Sequence, residues 1–542
     1  MSTKRTTESA TFGQDSRGQK LIMRGRLWIR RLVVVAPTVA VAFVIAGCGS
    51  SSGSPSASRV LTFATPLQIG DGTNSMDPAL NCCLVGTNVL GLAYEPIIYT
   101  NPDGSFGPGL ATSWRYLPAA PGAPALTRFE FTLRHNARFS DGSLVTAPAV
   151  KTWLAYFLKA GGPALGQLDI PVKSITTSGE WDVLITLTRP ISDMPGNLSD
   201  GLNTWGSVAA PSALQHASSL NTHSDGAGPY VIDSAASVPG SEYTFVPNKY
   251  YYDKSAIYWK QIVVKYVPSA SSRLAALSNG QIQVAEDEAD ISTAATALAQ
   301  GLRVLAAPGS MYTVYFADLE GKLVKPLAST KVRQALSYAI DRQAITRAFF
   351  GKYGAPTSEQ PLAGGWVPSL QNYYSYDPAK AKALLAAAGY PHGFRVSVMT
   401  GLNDQQSVDL AQAVAADWAK VGVSATINTN PASLTTGKFA VFSCNACVLA
   451  PMTLYYITYW KLGGLLDQHG WSDPTLEALY NAAQASSNPD VYWQQMMTFL
   501  VKDAYAVPVA KQDLITVYSP TVTGVSASVD RGYISLAEIK PS

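Results

Sequence analysis

Charge is scarce in this chain: Asp, Glu, Lys and Arg make up 14% of its 542 residues, while apolar residues reach 47%. An average soluble protein carries about 25% charged residues, so disorder driven by charge and low hydrophobicity is excluded and the chain folds. Histidine and cysteine are scarcer still, with five of each. The histidines, His135, His216, His223, His392 and His469, are scattered and form no H-E-x-x-H pair, which argues against a zinc hydrolase of that design. No Walker A loop and no G-x-G-x-x-G occurs, so any ATP hydrolysis belongs to separate subunits, and the S-D-N and K-T-G elements of secreted β-lactamase-like enzymes are missing. The acidic group Glu286, Asp287, Glu288 and Asp290 lacks the glycine and the alternation of a calcium loop. Gly49-Ser50-Ser51-Ser52-Gly53 matches a nucleophile elbow in letters alone, without a strand before it or a helix after it. Positive charge on a folded face is lacking too. The formal net charge is +3, but residues 1–47 hold eight Lys/Arg and two Asp/Glu, a net of +6, which leaves −3 for the rest. A nucleic-acid footprint is therefore not expected.

What is present begins at the N-terminus. Arg24, Arg26, Arg30 and Arg31 precede an uncharged apolar run from Leu32 to Ala46, too short to span a bilayer comfortably at roughly 20 residues per span. Charged flank, apolar run and small residues describe an export signal over 1–47. Met23 directly precedes the arginines and offers a second start, and Ile29 before Arg30-Arg31 favours general secretion over the twin-arginine route. The run ends in Ile45-Ala46-Gly47-Cys48, which resembles a lipobox, with Cys48 as the lipidated residue. Residues 48–58 are rich in Ser and Gly, a flexible tether that holds a folded body outside the cytoplasm at the membrane surface.

From residue 59 onward short β-branched or aromatic runs interleave with amphipathic helices, an α/β pattern. Leu61–Thr65, Phe129–Leu133, Trp181–Thr188 and Gln261–Val267 read as strands, and Val150, Leu154, Phe157 and Leu158 share one helix face. Thr330 is expected to cap a helix that buries Val332, Leu336, Ala339 and Ile340; Asp377-Pro378 opens another, which Gly389 closes. Phe394-Val396-Val398, a helix with Ala411, Val414, Ala415 and Trp418, and Val423-Ala425-Ile427 form a β-α-β unit, hence parallel pairing. The length suits about two bodies plus appendages, one before and one after residue 305.

A series of short blocks then carries a family resemblance. Tyr94-Glu95-Pro96, Gly109-Leu110-Ala111-Thr112-Ser113-Trp114, Phe129-Glu130-Phe131-Thr132-Leu133-Arg134 and Phe139-Ser140-Asp141-Gly142 come first. Gly226-Ala227-Gly228-Pro229-Tyr230, Asn248-Lys249-Tyr250-Tyr251 and Arg273-Leu274-Ala275-Ala276-Leu277 follow, and Val332-Arg333-Gln334-Ala335-Leu336-Ser337-Tyr338-Ala339-Ile340-Asp341-Arg342 is the most specific. Asp377-Pro378-Ala379-Lys380-Ala381 and Ser472-Asp473-Pro474-Thr475-Leu476 complete the order. In this order the chain resembles the family-5 extracellular solute-binding proteins, which serve oligopeptide, dipeptide and nickel ABC importers. The resemblance implies a two-lobed α/β fold of the periplasmic-binding-protein type, cluster C, with an extra subdomain in the first lobe. Lobe I then takes residues 59–305, lobe II 306–504, and 505–542 return to lobe I. It also implies a lipid-anchored monomer without enzymatic activity or cofactor, which captures a peptide or similar-sized solute between its lobes and delivers it to a permease and ATPase. A peptide-sensing receptor subunit without transport, and a secreted hydrolase on the same scaffold, are the alternatives.

The blocks themselves read mainly as structure, with Arg333 and Asp341 in surface or interlobe ion pairing, though Arg333 or Arg342 could fork onto a ligand carboxylate. Relatives of the dipeptide type place an Asp-bearing loop against the ligand amino group; here residues 439–470 hold no acid before Asp467. That stretch offers Tyr455, Tyr456, Tyr459 and Trp460, which either stack on a ligand or pack as core. Trp205 and Trp366 fall where ligand-facing loops of the family lie. With Cys48 assigned to lipid, Cys82, Cys83, Cys444 and Cys447 remain, and outside the cytoplasm they are expected to form disulfides. Four cysteines allow three pairings, the tidiest joining 82–83 to 444–447, with a redox or soft-metal C-x-x-C site as the rival.

Overall fold

The alternating run Arg128–Leu133 buries every second side chain, Phe129, Phe131 and Leu133, as a half-covered antiparallel strand should. It pairs with Ala111–Tyr116 on one side and Asp182–Leu187 on the other, and Val172–Ser178 completes a four-stranded antiparallel sheet. The helix Ala147–Ala160 lies against it. Thr146 caps that helix by accepting from the Ala149 amide, Pro148 sits in the first turn, and Gly161 ends it in the left-handed region at φ 65°. Its buried face is Val150, Trp153, Leu154 and Phe157, with Leu158 half-buried at the margin. Each such side chain contributes about 1.5–3 kcal/mol through burial.

A computed structural model describes residues 60–70, 74–81, 84–162, 168–200, 203–286, 291–360, 362, 364–400, 405–430, 439–445, 451–464, 470–527 and 534–542, within the compact unit Ala57–Ser542. The expected signal, the tether, Cys48, Cys82, Cys83 and Cys447 lie outside the described residues.

Among the described residues the larger sheet has 11 strands. At one end Val60–Thr65 runs parallel to Gln261–Tyr266 and to Val284–Glu286; at the other Arg395–Thr400 runs parallel to Ser424–Asn428 and Val441–Asn445. Between them lie two long antiparallel strands, Arg303–Phe316 and Ala506–Tyr518. The expected β-α-β unit is present: helix Gln405–Ala419 links Arg395–Thr400 to its parallel neighbour and buries Leu410, Ala411, Val414 and Trp418. Asp377 accepts from the Lys380 amide at 2.8 Å and opens Pro378–Ala387, beyond which Gly389 turns at φ 89°.

Two large cores form on either side of the long strand pair. One gathers residues from Leu61 to Val284 together with Val522 to Ile539; the other is built wholly from Met311 to Ala510. The chain therefore passes between the cores only along the two long strands, whose register shifts between Pro308 and Ser310 and again between Tyr312 and Thr313. A bulge loosens the ladder locally and lets a strand bend.

Two expectations need correction. Ser329, not Thr330, is the cap residue; Thr330 is the first helical position of Thr330–Tyr338, and its hydroxyl accepts from Arg333 at 3.0 Å. Arg333 and Asp341 do not serve surface or interlobe ion pairing, and Arg333 and Arg342, the two expected candidates for a carboxylate fork, both turn inward. Both are buried, and both spend their guanidinium on main-chain carbonyls: Arg333 on Leu327, Ala328, Asp503 and Ala504, Arg342 on Ser337, Thr357, Tyr374 and Pro508. The five fixed donors of arginine satisfy several converging carbonyls at once, which lysine could not do. Asp341 caps Arg342–Phe349 through the Ala344 amide. The most specific block of the sequence thus ties helices to the strand return.

Candidate functional site

A cavity of about 300 Å³ lies where side chains from the two cores meet. The first-core wall comes from Thr100, Gly104 and Phe106, from the segment Ser192 to Ser199 and from Asn203; the second-core wall comes from Gly364, Pro451 to Leu454, Pro489, Asp490 and Trp493. Local sequence explains each wall. Asp193 caps the short helix Met194–Asn197 by accepting from the Gly196 amide at 2.9 Å, while Met194 and Leu198 anchor that turn in the first core. On the other side Met452 and Trp493 root the helices Met452–Tyr459 and Asp490–Lys502 in the second core, which leaves their first turns at the cavity. Phe106, 38% exposed, offers an apolar face. The size sits at the small end of ligand pockets, about 300–1,000 Å³.

Polar contacts join the walls. Gln484, 1% exposed, accepts from the Ser192 amide at 3.3 Å and donates to the Thr453 hydroxyl at 3.0 Å. Asp169, beside the first core, accepts from the Tyr480 hydroxyl at 2.7 Å and pairs with Lys461 at 2.7 Å and with Arg189 at 2.6 Å. Burial of Asp169 opposes ionisation and is the largest single effect, but Lys461, Tyr480 and Arg189 together outweigh it and hold the carboxyl below its ordinary value.

Behind the second wall, the loop that carries Gly364 begins with buried polar residues. Gln360 donates to the hydroxyls of Tyr315 at 2.6 Å and Thr313 at 3.3 Å. Glu359 is fully buried; one carboxyl oxygen accepts only from the Val367 amide at 3.3 Å and the other has no partner. Desolvation pushes this carboxyl up to about 8. At neutral pH it is a neutral group, not an anionic anchor.

The residues expected to meet a ligand fall into different places. Tyr455, Tyr456 and Trp460 are buried in the second core: Tyr456 stacks on Tyr480 at 4.3 Å, Tyr459 on Tyr315 at 4.6 Å, and Trp460 packs against Tyr455 and Tyr505. Burial pushes the Tyr456 and Tyr459 hydroxyls up to about 12. These aromatics form the backing of the wall, and the residues of the same segment that line the cavity are the four before them, Pro451 to Leu454. Trp205 sits in the first core with no exposed surface; its indole N–H donates to the Leu154 carbonyl at 3.2 Å, and Asn203, two residues earlier, lines the cavity instead. Trp366 is half-buried on the loop that carries Gly364. Cys444 is disulfide-bonded, and the other cysteines lie outside the described residues. Sequence reading missed Asp193, Asn197 and Asn203 on one wall and Asp490 and Trp493 on the other. Asp193 and Asp490 stand at helix starts, where an acid usually means a cap or a dipole partner, so no local signal marked them.

The buried polar groups of the family-like blocks are structural. Glu95, with no exposed surface, accepts from the hydroxyls of Tyr99 at 2.9 Å, Tyr251 at 3.1 Å and Tyr252, and Arg134 lies 3.9 Å over the Tyr252 ring. Among the described residues no three His, Cys, Asp or Glu side chains converge as metal ligands, and no helix is long and apolar enough to cross a membrane.

Comparisons with known proteins agree on one family. A model described as bacterial extracellular solute-binding proteins, family 5 Middle, matches residues 105–499. The glutathione-binding protein GsiB of Salmonella typhimurium is 26% identical over 440 residues, covering 75% of this chain and 81% of the relative. Among solved structures, the binding protein AgaA of A. tumefaciens in complex with agropinic acid superposes with a TM-score of 0.73 at 22% identity, over 89% of this chain and 99% of that one. The periplasmic binding protein DppA of Helicobacter pylori in complex with the peptide STSA gives 0.72 at 19% identity, over 89% and 98%. NikZ of Campylobacter jejuni in complex with Ni(L-His) gives 0.73 at 21% identity, over 89% and 99%.

Proposed function

The chain belongs to the bacterial extracellular solute-binding proteins of family 5 and has their two-lobed α/β fold, and we propose that it captures a peptide or similar-sized solute between its lobes and delivers it to an ABC permease. The observation that carries this reading is the cavity walled from two separate cores that the chain joins only through two bulged strands. Such an arrangement removes a ligand from water at a domain interface and turns ligand contacts into closure, a shape a permease can sense. The lobe limits we assign are 59–305 with 505–542, and 306–504. The solutes bound by relatives and structural neighbours include glutathione, the peptide STSA, agropinic acid and Ni(L-His); all are small and carry polar groups, which suits a lining of mixed polar and apolar side chains.

Native mass spectrometry of the full-length chain, extracted gently from its own host, is the test. The expected result is a retained solute released on denaturation; repeated recovery of protein that holds and binds none would end the reading. The body is held at the membrane by lipid on Cys48. Changing Cys48→Ala is expected to move the protein from the membrane fraction to the soluble extracytoplasmic fraction and to abolish labelling by radioactive palmitate. Undiminished labelling in the variant would refute that assignment.

A further inference from the structure

A second cavity, of about 280 Å³, lies on the side of the first core, between the helix Leu84–Ala93, the strand Ile98–Thr100, the stretch from Tyr251 to Tyr258 and the returning segment around Leu536–Glu538. Among the described lining residues it shares only Thr100 with the cavity between the cores. Two features show that this space is built. Gly91 falls inside the helix, its φ is outside the left-handed region, and a Cβ added to it would meet nothing within 4 Å among the described residues. No turn, strain or close approach therefore asks for glycine, the poorest helix former after proline. What an added side chain would take is the cavity itself, which Gly91 lines. Helix stability is given up for open space, and functional sites are where such local rules are broken.

The facing wall is fixed in advance. The hydroxyls of Tyr99 and Tyr251 both donate to Oε2 of the fully buried Glu95, at 2.9 and 3.1 Å, and both residues line the cavity. Rings whose hydroxyls are committed offer carbon to whatever enters and lose little freedom when it packs on them. Acceptors stand beside them. Asp200 is anchored by the Thr100 amide at 2.9 Å, and Glu538 lines the cavity with it. Desolvation and the Asp200 carboxylate push the Glu538 carboxyl above its ordinary value, against the pull of Lys540, whose ammonium lies 4.7 Å over the Tyr258 ring. A sugar ring has a C–H face and a rim of hydroxyl donors; the face matches the tyrosine rings and the rim matches the carboxyl acceptors. An anion is repelled by the two carboxyls, and an organic cation finds its charge already supplied in part by Lys540.

We propose that this cavity is a second binding site, apart from the solute cavity between the cores, and that it takes a single neutral sugar unit, packed against Tyr99 and Tyr251 and held at its hydroxyls by Asp200 and Glu538, in the space that Gly91 leaves open. Its size, just under the usual range of about 300–1,000 Å³ for ligand pockets, suits one ring rather than a chain.

The test is calorimetric titration of the full-length protein, in a detergent without a sugar head group, with glucose, galactose, mannose and N-acetylglucosamine, and with tetramethylammonium as the cationic control. At least one sugar is expected to bind saturably at about millimolar affinity or better. Gly91→Leu, which fills the space from the helix side, is expected to weaken that binding at least about tenfold while the melting temperature stays the same or rises. Gly91→Ala, a smaller plug on the same side, is expected to cause a smaller loss and decides the matter if the leucine variant does not fold. Absence of saturable binding by all four sugars overturns the proposal, and so does binding of tetramethylammonium alone. Sugar binding that the folded Gly91 variants leave unchanged overturns it as well, since the sugar would then sit elsewhere, the cavity between the cores included.

Discussion

Asp169→Asn is expected to weaken retention of the co-purified solute by roughly ten- to a hundredfold, measured by calorimetry with that solute at neutral pH. Asp169 stands beside the first core, yet it takes the Tyr480 hydroxyl at 2.7 Å and the Lys461 ammonium at 2.7 Å from the second. Its side chain is 15% exposed against 41% for Lys461, so the carboxylate is the shielded partner. Arg189 at 2.6 Å holds it from its own side. A hydrogen bond to a charged group is worth about 1.5–3 kcal/mol, and asparagine keeps the shape but offers one neutral acceptor. Like the Ser192–Gln484 contact, these contacts cross between the two cores, so they are broken when the lobes part, and their loss disfavours the closed state that holds the ligand. Lys461→Ala, which removes the exposed partner alone, is expected to have a smaller effect. The pH dependence has a definite sign. A carboxyl held below its ordinary value contributes fully above that value and loses its contribution as pH falls through the lowered one. Affinity should therefore be flat around neutrality with respect to this group and fall only in the acid range below about 4. An unchanged dissociation constant in Asp169→Asn would show that the contacts do not set the open and closed balance.

Glu359→Gln is expected to raise the melting temperature at pH 8 and to flatten its dependence on pH. In the folded protein the Glu359 carboxyl keeps its proton up to about 8, because it is fully buried and one oxygen has no partner. In the unfolded chain it ionises near 4.3. Between these limits the folded state binds more protons, so stability falls as pH rises, by at most about 1.4 kcal/mol per pH unit, and levels off above about 8. Glutamine fills the same space, can still accept from the Val367 amide, and does not titrate. Thermal scans from pH 5 to pH 9 on both proteins check this, and two parallel curves would contradict it.

The arrangement of helices and strands was open to reading along the chain because burial repeats locally. Alternation at Phe129, Phe131 and Leu133 declares a strand with one covered face, and Asp377-Pro378 with Gly389 declares a helix by its ends. Parallel pairing of Arg395–Thr400 with Ser424–Asn428 follows from the helix between them. Family membership also lay in the sequence, in the order of its blocks. Two local inferences were displaced by neighbours that periodicity cannot see. Ser329 takes the cap position because Thr330 is already helical, and Arg333 and Arg342 turn inward because several main-chain carbonyls converge there.

The candidate site was legible only in part. A run such as Tyr455 to Trp460 has the same composition whether it stacks on a ligand or backs a wall, and packing against Tyr315, Tyr480 and Tyr505 decides for the wall. Asp169 looks like a loop acid. Its role arises from contact between segments that lie hundreds of residues apart, as the separations of 292 between Ser192 and Gln484 and 311 between Asp169 and Tyr480 illustrate. The sequence by itself determined the α/β class, the helix ends, the parallel unit and the family, since each is written in short-range pattern or in the order of motifs. Only the tertiary structure decided which residues meet across the two cores and which aromatics are core, because proximity across two cores is a property of the folded surface and leaves no periodic trace in the chain.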